Sequence, residues 1–295
     1  MKRNKCHKAQ KTPRAISAGF YYFILEYRRW RDVDIMYIKK YLMTARTAFR
    51  GQTNGGIIYM FPQIIMKVVY LVPLMFIWRV VMASGGAAAG AGMTLEQLLC
   101  YTYVNVLLTD VHIVKTYMSD WDFDSKSTAL FTRPAPVFGQ VIARTVGEWA
   151  PALLLFSAPM AALAPLFGIG IVPRTLWVVP SLFLCASLGF AFEFFFFCVT
   201  LRLRNVSWLT YVIRSAVVSF FSGTVIPFKL LPFGLDKWIA FQPFGSLGGA
   251  PLSLYIGAAE PAAIIPVQLF WNVVVWAVTA VWFDRSRERM VSFGG

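Results

Sequence analysis

The stretch LWVVPSLFLCASLGFAFEFFFFCVTL, residues 176–201, decides what kind of protein this chain is. Glu193 is its single charged residue, and most of the others are apolar. A run of about 20 apolar residues matches the hydrocarbon core of a bilayer, which is about 30 Å thick. Arg202 and Arg204 follow at once, as is typical of a helix that ends at the cytoplasmic face. The stretch therefore predicts a transmembrane helix.

Five further apolar stretches predict five more transmembrane helices. They cover residues 57–80, 98–117, 146–169, 206–226 and 262–283. The composition agrees, because 58% of the 295 residues are hydrophobic and only 14% are charged, whereas about a quarter of a soluble domain is charged. The expected fold is an all-α polytopic membrane protein with six transmembrane helices.

The basic residues indicate the orientation of these helices. They lie mainly before residue 55, between the second and third stretches, between the fourth and fifth, and after the sixth. Only Arg174, Lys229 and Lys237 lie in the other gaps. Positive segments resist export during insertion, so we expect both termini in the cytoplasm and the chain in the plasma (inner) membrane. The net charge of +14 then indicates anionic membrane lipids as partners, and not nucleic acid.

The regions outside the six stretches have their own patterns. Residues 1–35 are basic and are either a disordered extension or lie upstream of a true start at Met36. We expect residues 36–289 to form the transmembrane domain and residues 290–295 to form a cytoplasmic tail. From Met36, apolar and basic residues alternate at helical spacing, which predicts an amphipathic helix lying in the inner interface.

The segment 227–261, before the sixth stretch, is expected on the outer side. Its apolar pieces are too short to cross a bilayer, and Pro232, Pro243 and Pro251 interrupt helix formation. Short helices that dip into the outer leaflet satisfy their own backbone hydrogen bonds. The segment therefore predicts a re-entrant helical hairpin.

Several chemistries are excluded by the motifs that the sequence lacks. It contains no phosphate-binding loop of the form G-x-x-x-x-G-K-[ST], no H-E-x-x-H zinc motif and no G-x-S-x-G elbow. The cysteines, four in number, are widely spaced and include no C-x-x-C pair, so neither a zinc site nor a disulfide framework is indicated. We therefore expect no catalytic site and no metal site in this chain, and any ATP that it uses must be hydrolysed by another chain.

Charged residues inside the apolar stretches are the most informative local feature. Lys67, Asp110, Glu193 and Arg214 each lie within a predicted span. An isolated charge at bilayer depth costs at least about 2.5–3.5 kcal/mol, so each should face protein or water. Two alternatives remain open: the two acids and two bases form ion pairs between helices, or they line a translocation path.

Three motifs, in this order relative to the spans, resemble the six-span permease subunits of type-2 ABC exporters over about residues 36–289. They are Ser125-Lys126 with Leu130-Phe131-Thr132-Arg133-Pro134, then Ser222-Gly223 with Pro227 and Pro232, and then Pro243-Phe244-Gly245-Ser246-Leu247 with Pro251, Tyr255 and Gly257. The resemblance implies a permease that forms the translocation path of an ATP-driven efflux system. ATP and Mg would bind to a separate ATPase subunit, and a second copy of the permease or a paralogue would complete the dimer.

The resemblance also implies roles for particular residues. The loop between the second and third spans would dock into the ATPase through Asp124, Lys126, Leu130, Phe131 and Arg133. Alternatively, Arg133 marks the cytoplasmic side and binds lipid headgroups. The outer re-entrant turn would be shaped by Pro243, Phe244 and Ser246, for which simple loop geometry is the alternative.

Two other classes of protein remain as alternatives. A stand-alone secondary transporter would show inverted repeats and broken helices, and no convincing repeat relates residues 57–170 to 176–283. A membrane-embedded lipid-modifying enzyme would need acids and histidines near one interface, and Asp110, His112, Asp120 and Asp122 form only a thin cluster. The cargo stays open among drugs, peptides, lipids and polysaccharide precursors.

Overall fold

Helices are the main secondary structure in the part of the chain that the structure describes. The computed structural model describes residues 38–54, 56–85, 92–116, 130, 135–203 and 207–291, and no β-strand occurs in these ranges. The helices are α1 (38–53), α2 (Gly56–Ala83), α3 (Leu95–Leu107), α4 (Thr109–His112), α5 (Val137–Ala152), α6 (Ala158–Leu163), α7 (Val178–Leu203), α8 (Ser207–Phe221), α9 (Leu235–Phe241), α10 (Gly249–Tyr255) and α11 (Pro261–Val291).

Four helical segments are long and apolar enough to cross a membrane. They are Ile64–Ala83, Val137–Phe167, Val178–Leu203 and Pro261–Ser286, and they correspond to the predicted first, third, fourth and sixth spans. The prediction of an all-α, membrane-embedded protein is thus confirmed in the described ranges. The second and fifth predicted spans contain shorter helices, so the number of six spans stays a prediction.

The segment Val137–Phe167 changes its helical geometry without ending. The α-helix α5 is followed by a π-helical turn, Leu153–Ser157, then by α6, and a 3₁₀ turn, Ala164–Phe167, closes it. Pro151 and Pro159 lie on either side of the π turn. Proline lacks the N–H that the α-helical ladder requires, and single π turns accommodate such interruptions. Gly168, with φ of 70°, ends the segment.

Helix α1 lies against the start of α5 in close backbone contact. A Cβ atom on Gly147 would overlap the carbonyl oxygen of Ala45, and one on Gly139 would meet the ring of Tyr41. The predicted apolar face of α1 is therefore divided, because Ile38 and Leu42 are exposed while Ala45 faces α5. A helix is present at residues 38–53, and its amphipathic role and its position in the membrane interface stay predictions.

Helices α7 and α11 form the central pair, joined by polar side chains. Gln268 accepts a hydrogen bond from Ser181 Oγ over 2.8 Å and donates to the carbonyl of Ser246 over 3.0 Å. Four and eleven residues further on, Asn272 donates to Leu184 O and Thr279 to Ala191 O. These three residues share one face of α11, since 3.6 residues make a turn. Hydrogen bonds of this kind join helices where hydrophobic packing gives no preference.

We expect Gln268→Leu to lower the free energy of unfolding by about 2 kcal/mol. Each interhelical hydrogen bond in a membrane contributes about 0.6 kcal/mol, and the Ser181 hydroxyl would lose its buried acceptor. Unfolding in detergent micelles, followed by circular dichroism, measures the change. Gln52→Leu on the exposed side of α1 is the control and should stay within about 0.5 kcal/mol. Equal effects of the two substitutions would contradict the prediction.

Candidate functional site

The second predicted span is broken in the middle. Helix α3 ends at Leu107 and α4 begins at Thr109, where the sequence predicted one helix through residue 117. A break frees backbone carbonyls, and at membrane depth other parts of the protein must satisfy them. Ser157, in the π turn, donates its hydroxyl to Leu107 O over 2.6 Å, and Thr109 donates its hydroxyl to Asn105 O over 2.9 Å. The break in one helix and the π turn of another therefore meet.

A buried ion pair lies just beyond this break. Glu193 of α7 and Arg214 of α8 form a salt bridge, with their side chains only 7% and 13% exposed. Glu193 Oε2 also accepts hydrogen bonds from the backbone N and the Oγ1 of Thr116, over 3.0 and 2.7 Å. Arg214 Nη2 donates to the carbonyl of Val114 over 2.7 Å. The two charges therefore hold the non-helical residues 113–116 from both sides.

A second ion pair joins α2 to α4. Lys67 Nζ lies 2.8 Å from Asp110 Oδ2, and the two side chains are 20% and 32% exposed. A shallow apolar pocket surrounds the Lys67 side chain, lined by Val106 and Phe156 among others. Lys67 and Asp110 thus form one pair at α4, and Glu193 and Arg214 form a second pair at the residues that follow α4. Each charge has an opposite charge in contact, as charged side chains within apolar helices require.

Uncharged polar groups extend this cluster toward the end of α8. His112 is buried, and its Nδ1 lies 3.3 Å from Asn105 Oδ1. Asn105 donates in turn to the carbonyl of Thr224 over 3.0 Å, and the Tyr101 hydroxyl donates to Gly223 O. Gly223 has φ of 73°, which ends the helical path after α8. Two interrupted helices therefore contact each other through polar groups. We call the residues of the two ion pairs, with Asn105, His112 and Thr116, the polar cluster.

The predicted ATPase-contacting residues are described only in part. Asp124, Lys126, Phe131 and Arg133 lie outside the described residues. Leu130 is described, and it is buried in a cluster with Phe190 and Phe194 of α7. The Leu130 side chain therefore packs against other residues of this chain. The contact with an ATPase that was assigned to Leu130 stays a prediction.

The predicted outer turn forms a compact corner between α9 and α10. Pro243, Phe244 and Ser246 all lie in one 3₁₀ turn, Pro243–Ser246. The ring of Phe244 stacks on Phe192 of α7, with 4.8 Å between ring centroids. Gly245 is required there, because a Cβ atom would overlap the carbonyl oxygen of Ile239. The short helices of the hairpin are as predicted, and their re-entrant position in the outer leaflet stays a prediction.

Sequence reasoning missed the uncharged members of the site. Asn105, Thr116, Ser157 and Gln140 each donate a hydrogen bond that holds an interrupted backbone segment. Their signal was weak, since single polar residues at the ends of apolar stretches are common. Within the described ranges, no group of three or more His, Cys, Asp or Glu residues is placed to hold a metal ion.

Comparison with protein families and with curated proteins gives no assignment for this site. A scan against protein-family models and a search of curated proteins each found no match to the chain. The fold therefore defines the class of protein only as an all-helical, membrane-embedded chain, and function must be inferred from the residues themselves.

Proposed function

We propose that this chain is a transmembrane permease subunit of an ATP-driven ABC exporter in the plasma membrane. The observation that carries the proposal is the order of elements along the chain. Helix α1 precedes the first apolar segment, a connection whose sequence contains Lys126 and Arg133 lies between the second and third apolar segments, and short helices precede the last long helix. Of the three motifs that resemble type-2 ABC permeases, one lies in the connection between the second and third apolar segments, and the other two lie between the end of α8 and the start of α11.

The proposed topology has six crossings and both termini in the cytoplasm. Helices α3 and α4 with residues 113–116 would make the second crossing, and α8 with the segment after it would make the fifth. Buried polar contacts support this, because the broken backbone at Leu108 and at Gly223 is satisfied within the protein. Irregular backbone is tolerated at membrane depth only under that condition.

The proposed partners follow from what the chain lacks. With no phosphate-binding loop in its sequence, the chain needs a separate ATPase to bind ATP and Mg. A second permease copy or a paralogue would form the other half of the path, and anionic lipids would surround the basic inner side. The direct test is affinity purification of the tagged chain from its native membrane in mild detergent. Recovery of a nucleotide-binding subunit supports the proposal, and its reproducible absence contradicts it.

We expect Arg133→Glu to uncouple ATP hydrolysis from transport. Reversing a charge on a docking loop changes the register of the contact, so hydrolysis would continue while transport falls by about tenfold or more. Both rates are measured in vesicles that hold the assembled complex. Lys237→Glu, an exposed position on α9 at the proposed outer side, is the matched charge reversal and should leave coupling intact. Normal coupling in Arg133→Glu would remove Arg133 from the ATPase contact.

A stand-alone secondary transporter is the second candidate, favoured by the broken α3–α4 helix beside two ion pairs. Discontinuous helices near charged residues form the sites of such transporters. The purified chain, reconstituted without any ATPase, would then move solute when a proton or sodium gradient is imposed. The exporter proposal predicts no gradient-driven transport under those conditions.

A further inference from the structure

The connection 117–134, between the second and third apolar segments, begins at a segment that is fixed in place. Its last preceding residues, Val114 and Thr116, are both buried. The Val114 side chain packs so closely on α7 that a Cβ atom on Gly189 would overlap it. The Val114 carbonyl accepts a hydrogen bond from Arg214, and the amide and hydroxyl of Thr116 donate to Glu193. Two helices thus hold Val114 and Thr116, the residues on either side of Lys115.

Leu130, the one residue of the connection that the structure describes, packs in a cluster with residues of the same helix. Gln140 of α5 donates through Nε2 to the carbonyls of Leu130 and Ala135, over 3.0 and 2.7 Å. The Leu130 side chain belongs to the same buried cluster as Val114, around the phenylalanines of α7. Val114, just before the connection, and Leu130, within it, therefore belong to one buried cluster that includes phenylalanines of α7.

We propose that Glu193 and Arg214 are positioning residues that fix the start of the connection 117–134 to α7 and α8. Glu193 lies on α7, Arg214 lies on α8, and their salt bridge closes the link between them. A displacement of residues 114–116 then pulls on Glu193 and Arg214 through their hydrogen bonds and moves α7 and α8 together. The two helices stay joined because separating Glu193 from Arg214 would leave two uncompensated charges in a buried site. The idea that an ATPase drives this displacement rests on the proposed function. The fixation of residues 114–116 by Glu193 and Arg214 does not depend on it.

If residues 114–116 are fixed, the distribution of distances between residue 115 and helix α8 should be narrow. Lys115 and Val212 are both exposed, so Lys115→Cys and Val212→Cys accept spin labels without entering the core. Cys6 is replaced by Ser, while Cys100, Cys185 and Cys198 are buried and stay in place. The purified full-length chain is placed in lipid nanodiscs, and pulsed electron paramagnetic resonance gives the distribution of label-to-label distances.

The test variant removes both charges together, as Glu193→Gln with Arg214→Met, so that no unpaired charge remains to prevent folding. We expect the 115–212 distribution to broaden about twofold, since a segment without its contacts opens locally. A reference pair on α7 and α11, Phe183→Cys with Val273→Cys, uses two exposed positions outside the polar cluster and should keep its width. Arg214→Lys, which keeps a cation for Glu193, should retain a narrow 115–212 distribution.

Two results would overturn the proposal. One is an unchanged 115–212 distribution in the doubly neutral variant. The other is equal broadening of both label pairs, which would show general loosening of the helices and no specific fixation. The purified chain is measured without any ATPase, so either result leaves the exporter proposal standing. Conversely, failure to recover a nucleotide-binding subunit would leave the fixation standing.

Discussion

Replacing Arg214 by Met is expected to lower the free energy of unfolding by about 3–5 kcal/mol, the largest stability loss we expect from any single substitution described here. The loss arises because Glu193 would stay buried at 7% exposure with its opposite charge gone. The Val114 carbonyl would also lose its donor. Denaturant unfolding in mixed micelles, with tryptophan fluorescence as the signal, measures the effect.

Two controls distinguish the cost of leaving one buried charge unpaired from the cost of losing the ion pair. Glu193→Gln with Arg214→Met leaves no charge uncompensated, so it should cost clearly less than Arg214→Met alone. Arg144→Met removes the exposed partner of a pair that is open to solvent on one side, since Arg144 is 45% and Glu148 13% exposed, and should cost less than Arg214→Met, about 1 kcal/mol. If Arg214→Met and Arg144→Met had the same effect, burial of the first pair would have no energetic consequence and the prediction would be wrong.

Gly147→Ala is expected to separate α1 from α5. The added Cβ would overlap the carbonyl oxygen of Ala45, which is backbone and cannot rotate away as a side chain can. Overpacking of this kind costs about 1–3 kcal/mol, and the simplest relief is a shift of the whole of α1. Trypsin cleavage at the basic residues of α1, such as Arg46 and Arg50, should therefore become faster, and the rate is followed by mass spectrometry of the cleaved chain.

Gly51→Ala is the matched substitution on the same helix. Nothing lies within 4 Å of a Cβ at Gly51, so the change should stabilise α1 by about 0.5–1 kcal/mol through helix propensity. Cleavage within α1 should then be unchanged or slower. Faster cleavage in Gly51→Ala as well would mean that α1 does not depend on its contact with α5.

The long helices could be predicted because their apolar runs have clear ends. Helix α7 begins and ends within two residues of the stretch 176–201, and α2 extends the predicted 57–80 by one residue before it and three after it. Helix α5 starts at Val137, well before the predicted 146, because Val137 and Phe138 continue the helical packing although the sequence between them and the apolar run includes Gln140 and Arg144. Hydropathy locates the bilayer-length part of a helix, and not its water-facing turns.

The interruptions could not be predicted, because their causes are distant in the sequence. Leu108 is neither glycine nor proline, and the break there is stabilised by Ser157, 50 residues away from Leu107 in the sequence. Helix α8 ends before the predicted 226 because Ser222 O accepts a hydrogen bond from Gly249 N over 2.6 Å, a contact with the first residue of α10. Local propensity carries no information about such partners.

The candidate site was predictable in its charges and not in its pairing. Four charged residues in apolar stretches had to face protein or water. That Lys67 contacts Asp110, and that Glu193 contacts Arg214, depends on which helices are neighbours, and one sequence does not determine that. The role of Thr116 could not be predicted either, because its hydrogen-bond partner Glu193 is 77 residues away in the sequence.

The shortness of α8 has a consequence for the surrounding lipid. Its 15 residues rise about 22 Å at 1.5 Å each, against a hydrocarbon thickness of about 30 Å. If α8 makes the fifth crossing, either the segment after it completes the crossing or the acyl chains beside it compress, and compression would thin the bilayer at this helix. Such hydrophobic mismatch costs a fraction of a kcal/mol per Å, and longer-chain lipids raise that cost. Membrane thickness would then act directly on α8 and, through Arg214, on the start of the inner connection.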